Sequence, residues 1–122
     1  DQIGSPTSAL DIADGILAVS RNLVEKPGDR SLRGLFHMAG TGFATWAEFA
    51  SAIFEISAGL GGPSARVRPI TTADYPTPAK RPANSRLSSA KFADVFGWSA
   101  PDWRQATEAV VRRLQSGQAP AG

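Results

Sequence analysis

The stretch "TPAKRPANSRL", Thr77 to Leu87, sets Lys80, Arg81 and Arg86 within seven residues, beside two prolines, Pro78 and Pro82. A guanidinium presents a planar fork of donors that matches phosphate oxygens, and stiffened backbone lowers the entropy cost of aiming it. Asn84 and Ser85 add neutral donors beside the cations. Two readings fit these residue types: a site for a particular anion, or a basic loop that is simply solvated. The charge distribution sharpens the question. Between Arg66 and Lys91 stand six basic residues against one acid, Asp74, while the rest of the chain carries seven basic and ten acidic residues. The positive excess therefore sits in one segment, and the net charge of +2 conceals it.

Other chemistry-bearing residues have simpler explanations. Gly40-Thr41-Gly42 follows an apolar run and precedes a helix pattern, as a dinucleotide fingerprint would. The position of the third glycine holds Thr45, however, and no acidic residue ends a second strand about 20 positions on. A turn accounts for the glycines. Tyr75 and Lys80 resemble a proton-transfer pair, but their i,i+5 spacing and the intervening Pro76 and Pro78 exclude a shared helical face. His37, the only histidine, falls in an apolar run and is expected to be a packed, structural residue. With no cysteine and no second histidine, a metal site has few ligands to draw on. Asp11 and Asp14 sit in the opening turns of a helix, where the dipole favours them. Trp46 and Trp103 are expected to pack at helix starts and Trp98 to close the corner after Gly97, rather than to form a stacking surface.

The elements that must position the basic loop are marked by their caps. Ser8-x-x-Asp11 opens an amphipathic helix over residues 8–24, closed by Lys26-Pro27-Gly28. Thr45-x-x-Glu48 is a full capping box before Ala47, Phe49, Ala50, Ile53 and Ile56, and predicts a helix over 46–58. Ser88 or Ser89 caps a short helix ending at Gly97, and Asp102 with Gln105 opens a last one to about Leu114. "GLFHMAG" (34–40) and "RVRPIT" (66–71) are predicted strands, and residues 85–87 a brief extension. Residues 1–7 contain nothing that starts a fold, and the small, polar residues 115–122 are expected to fray. The sum is an α/β fold: a small mixed domain of three to four helices and two to three short strands.

A chain of 122 residues with 42% hydrophobic and 20% charged residues fits one globular domain. No apolar run reaches the roughly 18 residues that cross a bilayer, and no signal peptide opens the sequence. A cytoplasmic protein with no membrane partner is the expectation.

"YPTPAKRPANSRLSSAKFADVFG" (75–97) resembles the C-terminal segment of dTDP-4-dehydrorhamnose reductases, extended members of the short-chain dehydrogenase/reductase superfamily. "DQIGSPTSALDIAD" at the start, "GLFHMAGTGFATWAEFASAIFE" in the middle and "DWRQA" near the end fall in the family's order, so the resemblance covers residues 1 to about 114. It implies the C-terminal lobe of a Rossmann-type NAD(P)-dependent reductase. Such enzymes reduce the C4 keto group of dTDP-4-dehydro-L-rhamnose with NADPH or NADH. Their Rossmann domain and its catalytic Tyr/Lys pair have no counterpart here, so the chain is expected to be inactive alone and to hold no cofactor. Residues 1–7 would then be an interdomain segment and residues 8–114 the nucleotide-sugar domain. By the same resemblance Arg81 matches the arginine that reaches the substrate pyrophosphate. Asn84 and Ser85 would assist it, and Lys80 or Arg86 would strengthen the field. Asp1, Gln2, Pro6 and Thr7 would line the seam near the substrate. The implied partners are a dTDP-sugar and the chain's own Rossmann domain. Loss of that domain would leave an apolar patch near Ile3, Pro6 and Leu10, through which the chain could form a homodimer. The rivals are a nucleic-acid-binding domain using the basic segment and tryptophans, which the compression of the cations into one loop disfavours, and a protein-interaction domain.

Overall fold

Among the described residues there are four helices, three opening on their expected cap side chains; the short one begins at Ala90 without a cap bond from Ser89, whose hydroxyl accepts from the Ala39 amide instead. Ser8 accepts a hydrogen bond from the Asp11 amide and opens α1 (Ala9–Glu25). Thr45 and Glu48 complete their reciprocal capping box at the head of α2 (Trp46–Gly59). Gly97, at φ 64°, adopts the left-handed conformation that closes α3 (Ala90–Phe96). Asp102 accepts from the Arg104 amide and opens α4 (Trp103–Gln115). The computed structural model describes residues 1–117. Gln115, expected to fray, is still helical and bonds the buried Ser57 hydroxyl at 2.6 Å. Residues 118–122 lie outside the described residues.

The helices pack in two pairs. α1 and α3 enclose Leu32, Phe92 and Phe96, with Val19, Leu23, Phe36, Met38, Val95 and Trp98 around them. Phe96 sits centrally, its ring 5.0 Å from Phe36 and 4.9 Å from Phe92. α2 and α4 meet through Ala52, Ala106 and Val111. Residues 39–42 join the pairs. The Gly40 amide donates to the Thr7 hydroxyl, Thr41 exchanges backbone bonds with Pro101 and Trp103, and the Thr41 hydroxyl donates to the Ala100 carbonyl.

The strands are not where the sequence patterns predict them. The sheet has two strands of two residues each, β1 (Ile3–Gly4) and β2 (Ala44–Thr45), antiparallel with Ile3 opposite Thr45. Residues 34–40 alternate inward Phe36 and Met38 with outward Leu35 and His37, as a strand would, but among the described residues no second strand lies alongside. Side chains satisfy the backbone instead. Ser89 accepts from the Ala39 amide and Lys91 donates to the Leu35 carbonyl. His37 is thus exposed rather than packed. Residues 66–71 likewise form no ladder; Pro69 has no N–H to give one, and only Val67 is partly covered. Residues 1–7, expected to carry no element, supply half the sheet.

Candidate functional site

From residue 68 to residue 88 every side chain is exposed. A segment of this length without burial needs other anchors, and the first three residues provide them. The Asp1 carboxylate accepts from both the amide and the hydroxyl of Thr72. The Gln2 carbonyl accepts from the Trp46 amide at 3.4 Å, and its side-chain amide donates to the Thr72 hydroxyl at 3.3 Å. The Ile3 amide donates to the Ala83 carbonyl and its carbonyl accepts from the Ser85 amide, both at 2.9 Å. One extended tripeptide therefore ties together the head of α2, the 3-10 turn Thr72–Asp74 and the proline-stiffened basic loop.

The 3-10 turn has its own clamp. The Thr71 amide and hydroxyl both donate to the Asp74 carboxylate at 2.8 Å, the amide bond counting most, and they hold that carboxyl below the ordinary carboxylate range. Tyr75 follows directly and projects into solvent, 70% exposed. Across from it stands Trp46, also 70% exposed, braced by the edge of Phe49 at 6.5 Å. These two rings line a cleft of about 380 Å³ together with Asp1, Gln2, Arg68 and Arg81. Trp46 is therefore not the packed helix-start residue its position predicts. Trp98, by contrast, packs on the core, and Trp103 packs edge-on to Phe49 at 6.2 Å.

The five predicted anion-binding residues are not brought together. Arg81 lines the aromatic cleft. Asn84 and Arg86 line a separate cavity of about 540 Å³ with Phe43, Ser88 and Ser99. There Arg86 Nε donates to Asn84 Oδ1 at 3.0 Å and its guanidinium lies 5.2 Å over the Phe43 ring. Ser85 lines a third, smaller hollow beside Gly4, and its hydroxyl already donates to the Ile3 carbonyl at 3.3 Å. Lys80 is exposed on the same loop. Among the described residues both ion pairs, Arg104–Glu55 and Arg112–Glu108, join helical residues, and neither draws on the cations of the basic segment. Among the described residues Arg81 and Arg68 thus form no ion pair, and the one acid on their cleft, Asp1, spends its carboxylate on Thr72.

The Gly40-Thr41-Gly42 turn is settled by packing. A side chain at Gly40 would strike the Pro6 carbonyl, and Gly42, at φ 84°, lies against Trp103 and Asp102. Both glycines are thus explained by close packing within the chain, as a turn requires. Among the described residues there is no cluster of three metal-ligating side chains, and no helix is long and apolar enough to cross a membrane.

A different surface lies along α1, α2 and α4. Pro6, Leu10, Phe49, Ile53, Val110 and Leu114 line a predominantly apolar cavity of about 400 Å³. The outer face of α1 continues it, with Ile16 and Leu17 more than half exposed. The apolar patch expected near Leu10 is thus much longer, running along the helix, while Ile3 and Pro6 are partly covered. Thr7, whose hydroxyl is bound to Gly40, and Pro6 belong to this side, whereas Asp1 and Gln2 belong to the cationic cleft.

Sequence reasoning missed Trp46 and Tyr75 as cleft residues. The signal for Tyr75 was present: a lone tyrosine among prolines has no helix or strand to bury it. Trp46 carried no such signal, since a tryptophan after a helix cap more often faces inward.

Comparison with known proteins agrees with this architecture. Residues 1–116 match the family model described as the RmlD substrate binding domain. The chain is 41% identical over 114 residues to the dTDP-4-dehydrorhamnose reductase of Sinorhizobium fredii (strain NGR234), covering 93% of this chain and 38% of that protein. It is 40% identical over 121 residues to the enzyme of the same name from Burkholderia thailandensis, covering 95% and 41% respectively. A solved dTDP-4-dehydrorhamnose reductase from Clostridium acetobutylicum superposes with a TM-score of 0.75 at 32% identity, over 94% of this chain and 37% of the other. The chain spans about two-fifths of the length of these relatives. It belongs to the RmlD substrate binding domain family.

Proposed function

We propose that this chain is the substrate-binding domain of an NAD(P)H-dependent reductase that converts dTDP-4-dehydro-L-rhamnose to dTDP-L-rhamnose, and that Arg81 receives the pyrophosphate of the nucleotide-sugar. The observation that carries the proposal is the cleft itself: a guanidinium that forms no ion pair among the described residues, on a proline-stiffened loop, fastened by the first three residues to the head of α2. Loop and anchor are prepared before the ligand arrives, so little ordering cost falls on binding. Arg68, on the same cleft, adds a second positive charge. Ser85 positions the loop through Ile3 rather than touching the ligand, while Asn84 and Arg86 form a second polar patch for the sugar-side groups.

Hydride and proton transfer fall to a Rossmann domain with its own Tyr/Lys pair, because Tyr75 and Lys80 of this chain lie outside any helix and share no helical face. That domain would cover the apolar face of α1. No large side chain among the described residues is less than 2% exposed, while Ile16 and Leu17 stand more than half exposed. A chain with so thin a core and so long an apolar face is suited to burial against a further layer. In the assembled enzyme, binding energy from the remote diphosphate would be spent on orienting the C4 carbonyl. The nucleic-acid alternative is disfavoured because Arg81 and Arg86 line different cavities rather than one continuous track.

Calorimetric titration of this chain with dTDP-L-rhamnose, at two salt concentrations and beside Arg81→Ala, tests the proposal. A charge-assisted contact predicts about a tenfold or greater loss in the variant, and weaker wild-type binding at high salt. Equal affinity of wild type and Arg81→Ala would remove the pyrophosphate from this loop.

A further inference from the structure

Helix α4 carries three arginines, and they are placed on different terms. Arg104 and Arg112 stand in solvent and pair with Glu55 and Glu108. Arg113 is half-buried, takes part in neither pair, and its Nε is buried without an acceptor among the described residues. It lines the apolar cavity of about 400 Å³ bounded by Leu10, Phe49, Ile53, Val110 and Leu114, and it is the one charged residue on that lining. The hydroxyls of the same cavity are already engaged. Thr107 donates to the Trp103 carbonyl, Thr7 donates to the Ser5 carbonyl and accepts from the Gly40 amide, and Ser8 caps α1. A buried donor without an acceptor costs free energy until one arrives, and a guanidinium favours an anionic one.

We propose that this cavity binds an aliphatic monocarboxylate of medium chain length, with the alkyl chain between α2 and α4 and the carboxylate accepting from Arg113. The two parts of such a ligand match the two parts of the site. Walls whose hydroxyls are already bonded take the chain, and the one unpaired cation takes the head group. The volume lies within the range of small-ligand sites. α1 contributes only its first turn here, Ala9 and Leu10, so the exposed stretch at Ile16 and Leu17 stays available to a covering domain. The cavity shares no lining residue with the Arg81 cleft, and the two sites are therefore independent.

The test is calorimetry on this chain with hexanoate, octanoate, decanoate and dodecanoate, each below its micelle-forming concentration, beside decanol. Burial of one methylene is worth about a three- to fourfold gain in affinity, so binding should tighten by about that factor per carbon and level off once the cavity is full. Adsorption to an open surface would go on tightening. Decanoate should bind about tenfold more tightly than decanol. Arg113→Gln should erase that margin while leaving decanol within about twofold, and Arg113→Lys should keep part of it. Ile53→Trp, which fills the cavity, should weaken both ligands, with circular dichroism checking that the helices remain. Arg81→Ala should change none of these affinities, so failure here would leave the pyrophosphate clamp standing. Decanoate binding unchanged in Arg113→Gln, affinity without a plateau, or no saturable binding would each overturn the proposal. So would a dimer in light scattering that decanoate leaves intact and Ile53→Trp dissociates, since the cavity would then seat a second copy of the chain.

Discussion

The surroundings of Phe96 and those of Arg81 are built on opposite terms. Phe96 is 7% exposed and meets two other aromatic rings within 5.0 Å, so packing alone fixes it. Arg81 lies in a run of 21 exposed residues, 68 to 88, and no packing fixes it. Its loop is held by Ile3, which bonds Ala83 and Ser85, and by proline stiffness, while Asp1 and Gln2 hold the neighbouring turn through Thr72. The first arrangement maximises apolar burial. The second keeps cations and aromatic faces in water at fixed positions, and so forgoes the apolar burial that stabilises the first. Stability and recognition are therefore divided between regions, and substitutions should separate them.

Phe96→Ala should have the largest effect, a loss of about 3–5 kcal/mol in chemical denaturation, with the four-helix fold at risk. Gly40→Ala should follow at about 1–3 kcal/mol, since the new methyl group meets the Pro6 carbonyl, which is backbone and cannot swing away. If either variant stayed as stable as the wild type, the packing side of the contrast would fail. Asp74→Asn should behave in the opposite manner. It loosens the turn that carries Tyr75, so dTDP-L-rhamnose binding should fall several-fold while the thermal midpoint stays close to wild type. The acid side has a definite sign. Asp74 and Glu48 are both held below the ordinary carboxylate range by the backbone amides and hydroxyls of Thr71 and Thr45. Their contribution is present above the unfolded carboxylate pKa of about 4 and is lost as pH falls through the lower folded value. Helical content should thus be flat from pH 8 to 5 and decline only in stronger acid, a decline that a circular dichroism titration would record.

The helices were legible because their caps are local. Ser8, Thr45 and Asp102 each bond an amide two or three residues on, and a sequence displays that spacing directly. The strands were not, because a two-residue ladder has no periodicity and its partners lie about 40 residues apart. Residues 34–40 show the converse failure: their alternation is real, yet side chains took the place of a neighbouring strand. The basic loop was legible as charge near proline. Its division between two cavities was not, since the separation depends on Ile3 clasping Ala83 and Ser85 between Arg81 and Arg86.

The most direct test of the account is an amide chemical-shift map of this chain with dTDP-L-rhamnose. The account predicts perturbations at Gln2, Thr72, Tyr75 and the Arg81 loop, together with the Trp46 indole N–H. Shifts confined instead to Leu10, Ile53, Val110 and Leu114 would place the ligand in the apolar cavity and contradict it.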